Sequence, residues 1–559
     1  MPGTPHPQSA AVSRRVFLAG TAVALGIAGR ELASTFSDSP EEPYPTEAFT
    51  TGTTLSTMAV PRGGAPYRRL GYGPGWPRVV REELAPALPG RFDQRTALVA
   101  FVQFTDLHIT DVQHPLRYEF FRAGWRGAWR PHEALTLPGA VALVERVNAL
   151  RRGPATGAPL SFTMTTGDNT DNNAKAELEW FLTAMNGGTA APNTGDPTRY
   201  EGVQNSGLAL YWHPEGTLGD IDTRAGFPKI DGFLSAAVRT VHSPGLTIPW
   251  YSTIGNHDGL SGGCYPAAHN FIADVAVGNR KLEIIPPDVA RKIMAGEGDG
   301  TDPGGTRIAA LLRHERRIRT ITPDDRRAPF TLHEYLAAHL DPRFTGPGPA
   351  GHGYTQANLS LGTLYYSFSI PGGILGISLD STDPGGGCAG SVGTAQLRWL
   401  EETLTGHRDR YALVFSHHPS WSMTNSTPDP ARPGEARHSG AELISTLGRH
   451  RNVLAWINGH SHCNRIRPRG TFWEISTASH IDYPHLARIV EVADNHDGTL
   501  SLITTLIESA APPGTYFHDL SQTGLASLYR ELAANAPGID PTIAGTPTDR
   551  NTELLLRKA

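Results

Sequence analysis

Apolar runs that end in short polar motifs recur along the chain and predict buried strands with functional groups at their ends. The runs read LVAFVQFT, PLSFTMTT, TIPWYSTI, YALVFS and NVLAWIN. Runs of this length, bounded by turn signals, are typical of buried strands. The motifs that follow them are Asp106-Leu107-His108, Gly167-Asp168-Asn169-Thr170-Asp171, Gly255-Asn256-His257-Asp258, His417-His418-Pro419 and Gly459-His460-Ser461-His462. If the strands are neighbours, their carboxyl ends bring the motifs together at one rim.

The motifs supply side chains that bind metal ions. They hold two aspartates, one asparagine and four histidines as candidate ligands, with one further histidine left over. This mixture of nitrogen and oxygen donors without cysteine favours Mn, Fe or Zn and argues against a structural thiolate zinc site. Two such cations about 3.5–4 Å apart need a bridging carboxylate, and they suit a phosphate ester held between them.

In this order the five motifs resemble those of the calcineurin-like metallophosphoesterase superfamily, over about residues 98–510. The resemblance implies an α/β fold, a four-layer α/β/β/α sandwich of two mixed sheets with large loop insertions. It also implies an enzyme that hydrolyses phosphate esters with a metal-activated water as the nucleophile. Its cofactors would be two divalent or trivalent metal ions, Mn, Fe or Zn.

The resemblance assigns a role to each candidate residue. The ligands of the first ion would be Asp106, His108 and His462, those of the second Asn256, His417 and His460, and Asp168 would bridge both. His257 would stand beside the scissile phosphate as a general acid or charge stabiliser. Asp258 follows it, and we expect its carboxylate to orient the imidazole.

Several motif residues keep a second interpretation. Asp171 is either part of the site or only a cap for the helix predicted over NAKAELEWFLTAM. His418 is expected near the site without being a ligand. His460 and His462 alternate along the chain, so both rings face one side only if a local turn re-aims them.

Weaker signals outside the motifs have mainly structural interpretations. Glu401 and Glu402 lie on a predicted helix and are expected to be solvated, and His480 is a candidate for lining the pocket. Three residues that follow the first motif are expected mainly in surface salt links, with substrate contact as the alternative: Asp111, His114 and Arg117.

The substrate is expected to be a small-molecule phosphate ester, with a phosphodiester favoured. An intact motif with His108 resembles the diesterase branch of the superfamily more than the purple acid phosphatases. Those phosphatases carry a tyrosine ligand where this chain has Asp171, so no tyrosinate-to-iron colour is expected. Two alternatives stay open: a phosphomonoesterase or nucleotidase of the same fold, and a non-catalytic exported binding protein stabilised by metal.

Composition limits the other classes of function. With 39% hydrophobic and 18% charged residues, the chain of 559 residues suits a globular protein with a large core. Its net charge of -5 gives no electrostatic reason to expect a nucleic-acid polymer or an anionic membrane as partner. The expected segments are an export signal (1–34), a Pro/Gly-rich extension (35–97), the metallophosphoesterase domain (98–510, insertions about 186–245 and 259–365) and a C-terminal helix with a polar tail (511–559).

The amino-terminal segment resembles a twin-arginine export signal. Arg14 and Arg15 precede the apolar run VFLAGTAVALGIAG, whose fourteen residues are too few to span a hydrocarbon core of about 30 Å. We therefore expect a partner in the twin-arginine export machinery, an extracellular or cell-envelope location, and no stable membrane anchor. A disulfide between Cys264 and Cys388 is chemically permitted outside the cell and stays open.

Overall fold

The computed structural model describes residues 49–266, 270–291 and 317–559. The twin-arginine signal predicted at 1–34 lies outside the described residues, as do the first part of the extension and a segment of the second predicted insertion. Among the helices that the structure does describe, none combines the length and the apolar character needed to cross a membrane.

Two large mixed sheets, of seven and six strands in the described part of the chain, form the centre of the molecule. Their strands are β1 (Val79–Arg81), β2 (Thr96–Phe104), β3 (Leu160–Thr166), β4 (Trp250–Thr253), β5 (Tyr366–Ile370), β6 (Ile374–Ser378), β7 (Ala412–Phe415), β8 (Val453–Asn458), β9 (Arg465–Arg469), β10 (Phe472–Ser476), β11 (Leu486–Asp494), β12 (Thr499–Glu508) and β13 (Thr552–Arg557).

The strands that carry the motifs run parallel within each sheet. The first sheet has the order β1-β13-β12-β11-β2-β3-β4, and β2, β3 and β4 are parallel neighbours. The second has the order β5-β6-β7-β8-β10-β9, and β6, β7, β8 and β10 are parallel neighbours. Parallel neighbours end at the same edge, so the loops after them share one rim.

Helices cover the outer face of each sheet. The main ones are α1 (Thr136–Leu150), α2 (Lys175–Asn186), α3 (Thr394–Gly406), α4 (Gly440–Gly448) and α5 (Gln522–Ala534). Shorter helices span Arg91–Gln94, Ile221–Arg224, Phe233–Ala237, Asn256–Gly259, Asn270–Val277, Leu332–His339 and Gln356–Leu361. Helices α1 and α2 pack on the first sheet, and α3 and α4 pack on the second.

Side chains alternate between the two faces of the central strands, which is what a sheet buried on both sides requires. In β2, Phe101 points into the core between the sheets, whereas Phe104 points toward α1 and α2. In β7, Phe415 joins the inter-sheet core and Val414 packs under α3 and α4. The Phe101 and Phe415 rings meet across the sheets at 5.8 Å. The layers are therefore α/β/β/α, as expected.

Segments on both sides of residues 98–510 complete the first sheet. Helix α5 corresponds to the predicted C-terminal helix. The segment after it was expected to be a polar tail, but it also contains a strand. Thr552–Arg557 forms β13, paired with β12 and β1, because the buried Leu554, Leu555 and Leu556 supply a strand core. Strand β1 comes from the extension predicted at 35–97.

The first predicted insertion, 186–245, forms an aromatic cluster against α5. Its core includes Tyr211, Trp212, Phe227 and Phe233, which are buried. Short strand pairs surround the main sheets: Thr57–Arg62 with Arg69–Pro74, Gly188–Ala190 with Val241–Ser243, Leu260–Ser261 with Tyr265–Pro266, Arg280–Ile284 with Arg317–Thr320, and Val392–Gly393 with Arg437–His438. Most of these pairs lie in or beside the insertions.

Candidate metal centre

The five motifs meet at one rim of the two sheets. Asp106 and His108 follow β2, Asp168 follows β3, and Asn256 follows β4. His417 follows β7 and the His460–His462 loop follows β8. All seven predicted ligands contact at least one other member of the set, across as many as 356 positions of sequence.

A first donor set consists of three predicted ligands and one oxygen of Asp168. The Nε2 atom of His462 lies 3.3 Å from Asp106 Oδ1 and 3.3 Å from His108 Nε2. His108 Nε2 lies 3.5 Å from Asp168 Oδ2. These residues are buried except for the half-buried His462, so a cation bound here would be largely screened from water.

A second donor set lies on the other side of Asp168. His417 Nε2 is 3.0 Å from Asn256 Oδ1 and 3.2 Å from Asp168 Oδ2. His460 Nδ1 is 3.1 Å from Asn256 Oδ1 and 3.3 Å from His417 Nε2. The same oxygen, Asp168 Oδ2, therefore belongs to both sets, which is the geometry expected of a bridging carboxylate.

The separations between donor atoms fit a cation in each set. Two ligand atoms about 2.0–2.2 Å from an ion, at angles of about 90–110°, lie about 3.0–3.5 Å apart. The distances between neighbouring donor atoms in both sets run from 3.0 to 3.5 Å. The residues present thus fit two ions that share Asp168.

Hydrogen bonds to carboxylates orient the first set toward one point. His108 Nδ1 lies 3.1 Å from Asp171 Oδ1, and His462 Nδ1 lies 2.5 Å from Asp482 Oδ2. Each Nδ1–H is donated to its carboxylate, so the two Nε2 atoms face each other at 3.3 Å. Once deprotonated, each Nε2 can donate its lone pair to a cation between them, and carboxylate partners of this kind fix the ring orientation of ligand histidines.

Hydrogen bonds orient the second set in the same way. His417 Nδ1 donates to the carbonyl of Thr166 at 2.8 Å, which leaves Nε2 as the donor atom for a cation. Asn256 Nδ2 donates to the carbonyl of Gly263 at 3.0 Å, which directs Oδ1 into the set. Gly263 has φ +77°, and a Cβ atom there would lie 2.5 Å from His257 Nε2. The close approach of this loop therefore requires glycine.

Left-handed backbone conformations aim most of the donors. Five of the seven have positive φ: Asp106 at 51°, His108 at 44°, Asp168 at 51°, His460 at 61° and His462 at 52°. Residues other than glycine adopt this conformation at a cost of about 1–2 kcal/mol each. The turn that the alternating His-Ser-His spacing required is therefore present, since both histidines adopt it.

His257 stands beside the two donor sets. Its Nδ1 donates to the carbonyl of Asp171 at 2.6 Å, and its backbone N–H donates to Asp168 Oδ1 at 2.8 Å. The ring lies 4.6 Å from that of His108, edge to face, and is half-buried. Its Nε2 is therefore the nitrogen left for a ligand that approaches from solvent.

Asp258 does not orient the His257 ring, contrary to the expectation from the sequence. Its carboxylate accepts from the backbone N–H groups of Gly255, Asn169 and Thr170. The reason is local, since Asp258 lies in the helical turn that starts at Asn256 and its side chain folds back onto Gly255. Asp258 ties the second and third motif loops together, and the Asp171 carbonyl holds the imidazole instead.

Opposing charges shift the pKa values in the site strongly. Burial lowers the pKa of His417, but Asp168 and Asp106 outweigh it and raise the pKa to about 9. Burial likewise lowers the pKa of His462, but Asp106 and Asp482 raise it to about 10. Burial raises the pKa of Asp168, yet the nearby histidines, His417 first, hold it well below its usual range. The carboxylates thus concentrate positive charge at the rim.

The structure reveals supporting residues that sequence reasoning missed or misplaced. Asp482, which holds His462, is itself bound by Arg130 at 2.6 Å. Asp171 does not cap α2, whose N-cap is Ala174, and instead binds Arg117 at 3.2 Å as well as His108. Three residues were expected mainly in surface salt links, and this prediction is wrong because all three are buried: Asp111, His114 and Arg117.

The remaining expectations have mixed outcomes. His418 is buried near the site, with Nδ1 on Ser381 Oγ at 2.9 Å and its ring 4.3 Å from that of His460. His480 is also buried, but its ring binds the Gly139 carbonyl at 3.1 Å and packs on Tyr529. Glu402 is exposed and Glu401 pairs with Arg449 at the surface, as expected for a solvated helix face. Across the described residues, no disulfide joins Cys264 to Cys388.

Comparisons with known proteins give distant similarities of fold. No family model and no curated protein matches the chain. A dimetal phosphatase from Danio rerio is 11% identical, with 74% of this chain and 100% of that one covered and a TM-score of 0.33. GAP50, the anchor in the inner membrane complex of Plasmodium, is 10% identical over 81% of this chain and 100% of its own, with a TM-score of 0.27. A Staphylococcus aureus protein described as a 5'-nucleotidase is 12% identical over 78% of this chain and 58% of its own, with a TM-score of 0.29. Because these identities and TM-scores are low, the activity of this chain has to be inferred from its own residues.

Proposed function

We propose that this protein is a metallophosphoesterase that uses two metal ions to hydrolyse a small-molecule phosphate ester, with a phosphodiester preferred. One observation carries the proposal: Asp168 Oδ2 belongs to two donor sets, each completed by side chains from both sheets. A structural site needs only one closed set of ligands, whereas a shared carboxylate between two sets suits a pair of ions.

The chemistry would come from the two ions and from His257. Bound in these sets, a pair of cations would polarise phosphoryl oxygens and would lower the pKa of a water molecule, which could then act as a nucleophile near neutral pH. His257 keeps Nε2 directed away from its Asp171 carbonyl partner. We assign it the protonation of the leaving oxygen, or the stabilisation of charge on the phosphoryl oxygens.

His257 differs from the ligand histidines of the first donor set in the group that binds its Nδ1 atom. Its Nδ1 is bound by a neutral carbonyl oxygen, whereas His108 and His462 are bound by carboxylates. The carbonyl orients the ring and fixes Nδ1 as a protonated nitrogen, so that Nε2 is the atom left to contact the substrate.

Metal analysis and turnover test the proposal together. Purified protein loaded with Mn, Fe or Zn is expected to bind two ions and to hydrolyse bis-p-nitrophenyl phosphate faster than p-nitrophenyl phosphate. Faster turnover of the monoester would favour the phosphomonoesterase or nucleotidase alternative. Two bound ions with turnover of neither ester would contradict the enzyme and favour a metal-stabilised binding protein.

Two substitutions separate metal binding from proton transfer. Asp168→Ala is expected to lose bound metal and activity together, because both donor sets lose an oxygen. His257→Ala is expected to keep its metal and lower kcat by about 100-fold or more. His496→Ala is the matched control, since His496 is exposed and lies outside the site. Wild-type rates in both site variants would contradict the assigned roles.

We propose in addition that the protein is exported through the twin-arginine pathway. The support is Arg14-Arg15 followed by an apolar run of fourteen residues, within the segment 1–34. Replacing both arginines by lysine keeps the charge and removes the twin-arginine pattern. We expect that variant to accumulate inside the cell in fractionation experiments, and unchanged export would refute the assignment.

A further inference from the structure

An apolar pocket lies beside the candidate metal centre. It is open to solvent, and its empty space of about 490 Å³ includes part of that solvent. Most of its walls come from two regions, the chain after the first motif and the chain after the third. Leu116, Tyr118 and Phe120 form one wall, and Tyr265 and Ile272 form another. Concave surfaces with aromatic and aliphatic walls are typical of sites for organic ligands.

The pocket walls continue directly into the segments that hold His257. Gly262 lines the pocket, and a Cβ atom there would lie 2.8 Å from the Tyr118 ring. The next residue, Gly263, contacts His257 and accepts a hydrogen bond from Asn256. Adjacent Cα atoms are about 3.8 Å apart, so one peptide unit separates the pocket wall from the His257 contact.

The opposite wall shows the same continuity. Asn172 lines the pocket, and its chain neighbour Asp171 holds His257 Nδ1 through its carbonyl oxygen. Two independent segments thus place the pocket on the His257 side of the metal centre. This is the side on which the leaving oxygen of an ester lies if His257 protonates it.

The pocket carries no net charge. His114 is the titratable imidazole in its wall, and burial, with Arg327 and Lys281, lowers its pKa to about 3, so the ring is neutral at pH 7. Lys281 donates to the His114 carbonyl from behind the wall and is paired with Glu119. An anionic group would therefore gain no charged partner there.

One polar group in the wall points to a ligand. The Ser261 hydroxyl lines the pocket, is buried, and makes no hydrogen bond with the described residues. Buried polar atoms of native proteins almost always have a partner, and an orphan requires an explanation. A polar atom on a bound organic group would supply that partner.

We propose that this pocket binds the alcohol portion of the ester substrate, and that this portion is largely apolar and carries no negative charge. The inference rests on the proposed phosphoesterase function and narrows its substrate class. It excludes alcohols that carry a second phosphate, since the pocket walls offer no cationic side chain to pair with it.

Paired alkyl esters test the proposal without changing the leaving-group chemistry. Methyl benzyl phosphate and methyl ethyl phosphate release alcohols of similar acidity, so the ratio of their kcat/KM values reports binding of the ring. We expect the wild-type protein to prefer the benzyl ester by at least about tenfold, the selectivity that an added apolar group gives in a fitted pocket. A ratio near one would overturn the proposal.

Two substitutions that fill the pocket test whether the preference for the benzyl ester arises there. Leu116→Trp and Ile272→Trp are expected to bring the ratio close to one, with thermal midpoints recorded to confirm folding. Leu361→Trp is the matched control, because Leu361 is exposed and lies outside the pocket, and it should keep the wild-type ratio. An unchanged ratio in both folded pocket variants would overturn the proposal.

A binding experiment separates failure of the pocket from failure of the enzyme. Saturation-transfer NMR with benzyl alcohol alone is expected to detect binding to the wild-type protein and loss of binding in the two filled variants. If neither ester is hydrolysed but this pattern appears, the proposed function fails and the pocket stands. If benzyl alcohol binds all four proteins equally, or none of them, the pocket assignment is wrong.

Discussion

Each histidine of the first donor set has a carboxylate on its second nitrogen. Asp171 binds His108 and Asp482 binds His462, so both rings are held with Nε2 toward the same point. A carboxylate partner fixes the tautomer and makes the ring a stronger ligand. Asp482 is further fixed by Arg130, whose guanidinium contacts both its oxygens.

Asp482→Asn tests this arrangement. The amide oxygen can still accept from His462 Nδ1, but the negative charge is lost, so we expect affinity for the first metal ion to fall about 10–100-fold. Competition with a chelator of known affinity measures the change. Asp494→Asn, which removes a carboxylate near Lys558 and outside the site, is the control. Equal affinities in the two variants would contradict the role of Asp482.

Protons and metal ions should compete for the site. Without metal, His417 and His462 have pKa values of about 9 and about 10, so both rings are protonated at pH 7. A ring must lose its proton to bind a cation, so metal affinity should rise with pH up to about 10. Titration calorimetry in buffers of different ionisation enthalpy should detect about two protons released at pH 7. Heats that do not depend on the buffer would contradict this.

Residue types predicted which side chains meet at the rim, but not which residues hold them in place. The five motifs identify donors because Asp, Asn and His directly follow apolar runs. Asp482 follows no such signal, since it lies twenty positions after His462 and contacts it only through the folded loop. Asp258 was expected to orient the His257 ring, but the backbone carbonyl of Asp171 holds it instead. A hydrogen bond to a backbone carbonyl cannot be predicted from the pattern of side chains along the sequence.

Loop geometry at the strand ends determines where the donors point. A strand alternates its side chains between two faces, so Asp106 and His108, or His460 and His462, reach one point only if the chain turns sharply. Positive φ at each of these residues supplies the turn. Gly263 meets a different requirement, because its loop lies so close to His257 that no side chain fits between them.

Gly263→Ala isolates that close approach. The new Cβ atom would overlap His257 and the Asn256 amide, so we expect kcat to fall at least about 100-fold through displacement of both groups. Gly216→Ala is the matched control, because Gly216 has φ +72° with open space around it. Both variants incur the left-handed cost of about 1–2 kcal/mol. Similar kcat values in the two would show that the contact is unimportant.

Local patterns predicted most of the elements and missed those that depend on distant partners. The strands before the motifs and helices α2, α3 and α5 have clear apolar periodicity. Strands β1 and β13 are short and lie in segments that resemble an extension and a tail. They form because β12 offers a buried partner for β13, and β13 in turn pairs with β1.

At the scale of the whole molecule, the metal centre joins the two sheets. Asp106, His108, Asp168 and Asn256 come from the first sheet, whereas His417, His460 and His462 come from the second. Each donor set contains members of both. Two ions bound there would therefore add cross-links at the rim, beside the apolar core that already holds the sheets together.

Chelation should lower the stability of the whole fold. A ligand that binds only the native state stabilises it by about 2.7 kcal/mol per site when its concentration is 100 times Kd. We expect a chelator to lower the thermal unfolding midpoint of the metal-loaded protein and to leave that of Asp168→Ala unchanged. Calorimetry compares the two proteins, and equal shifts would show that the cross-links do not depend on the shared carboxylate.

Strand β13 protects the backbone of β12 on one side of the first sheet. It separates β1 from β12, whose residues are nearly all buried. If a protease removed β13, β1 would lose its neighbour and the Thr499–Thr504 part of β12 would display unsatisfied backbone groups to solvent. Exposed strand edges of that kind recruit strands from other molecules. Removal of β13 would therefore favour self-association of the protein through this sheet.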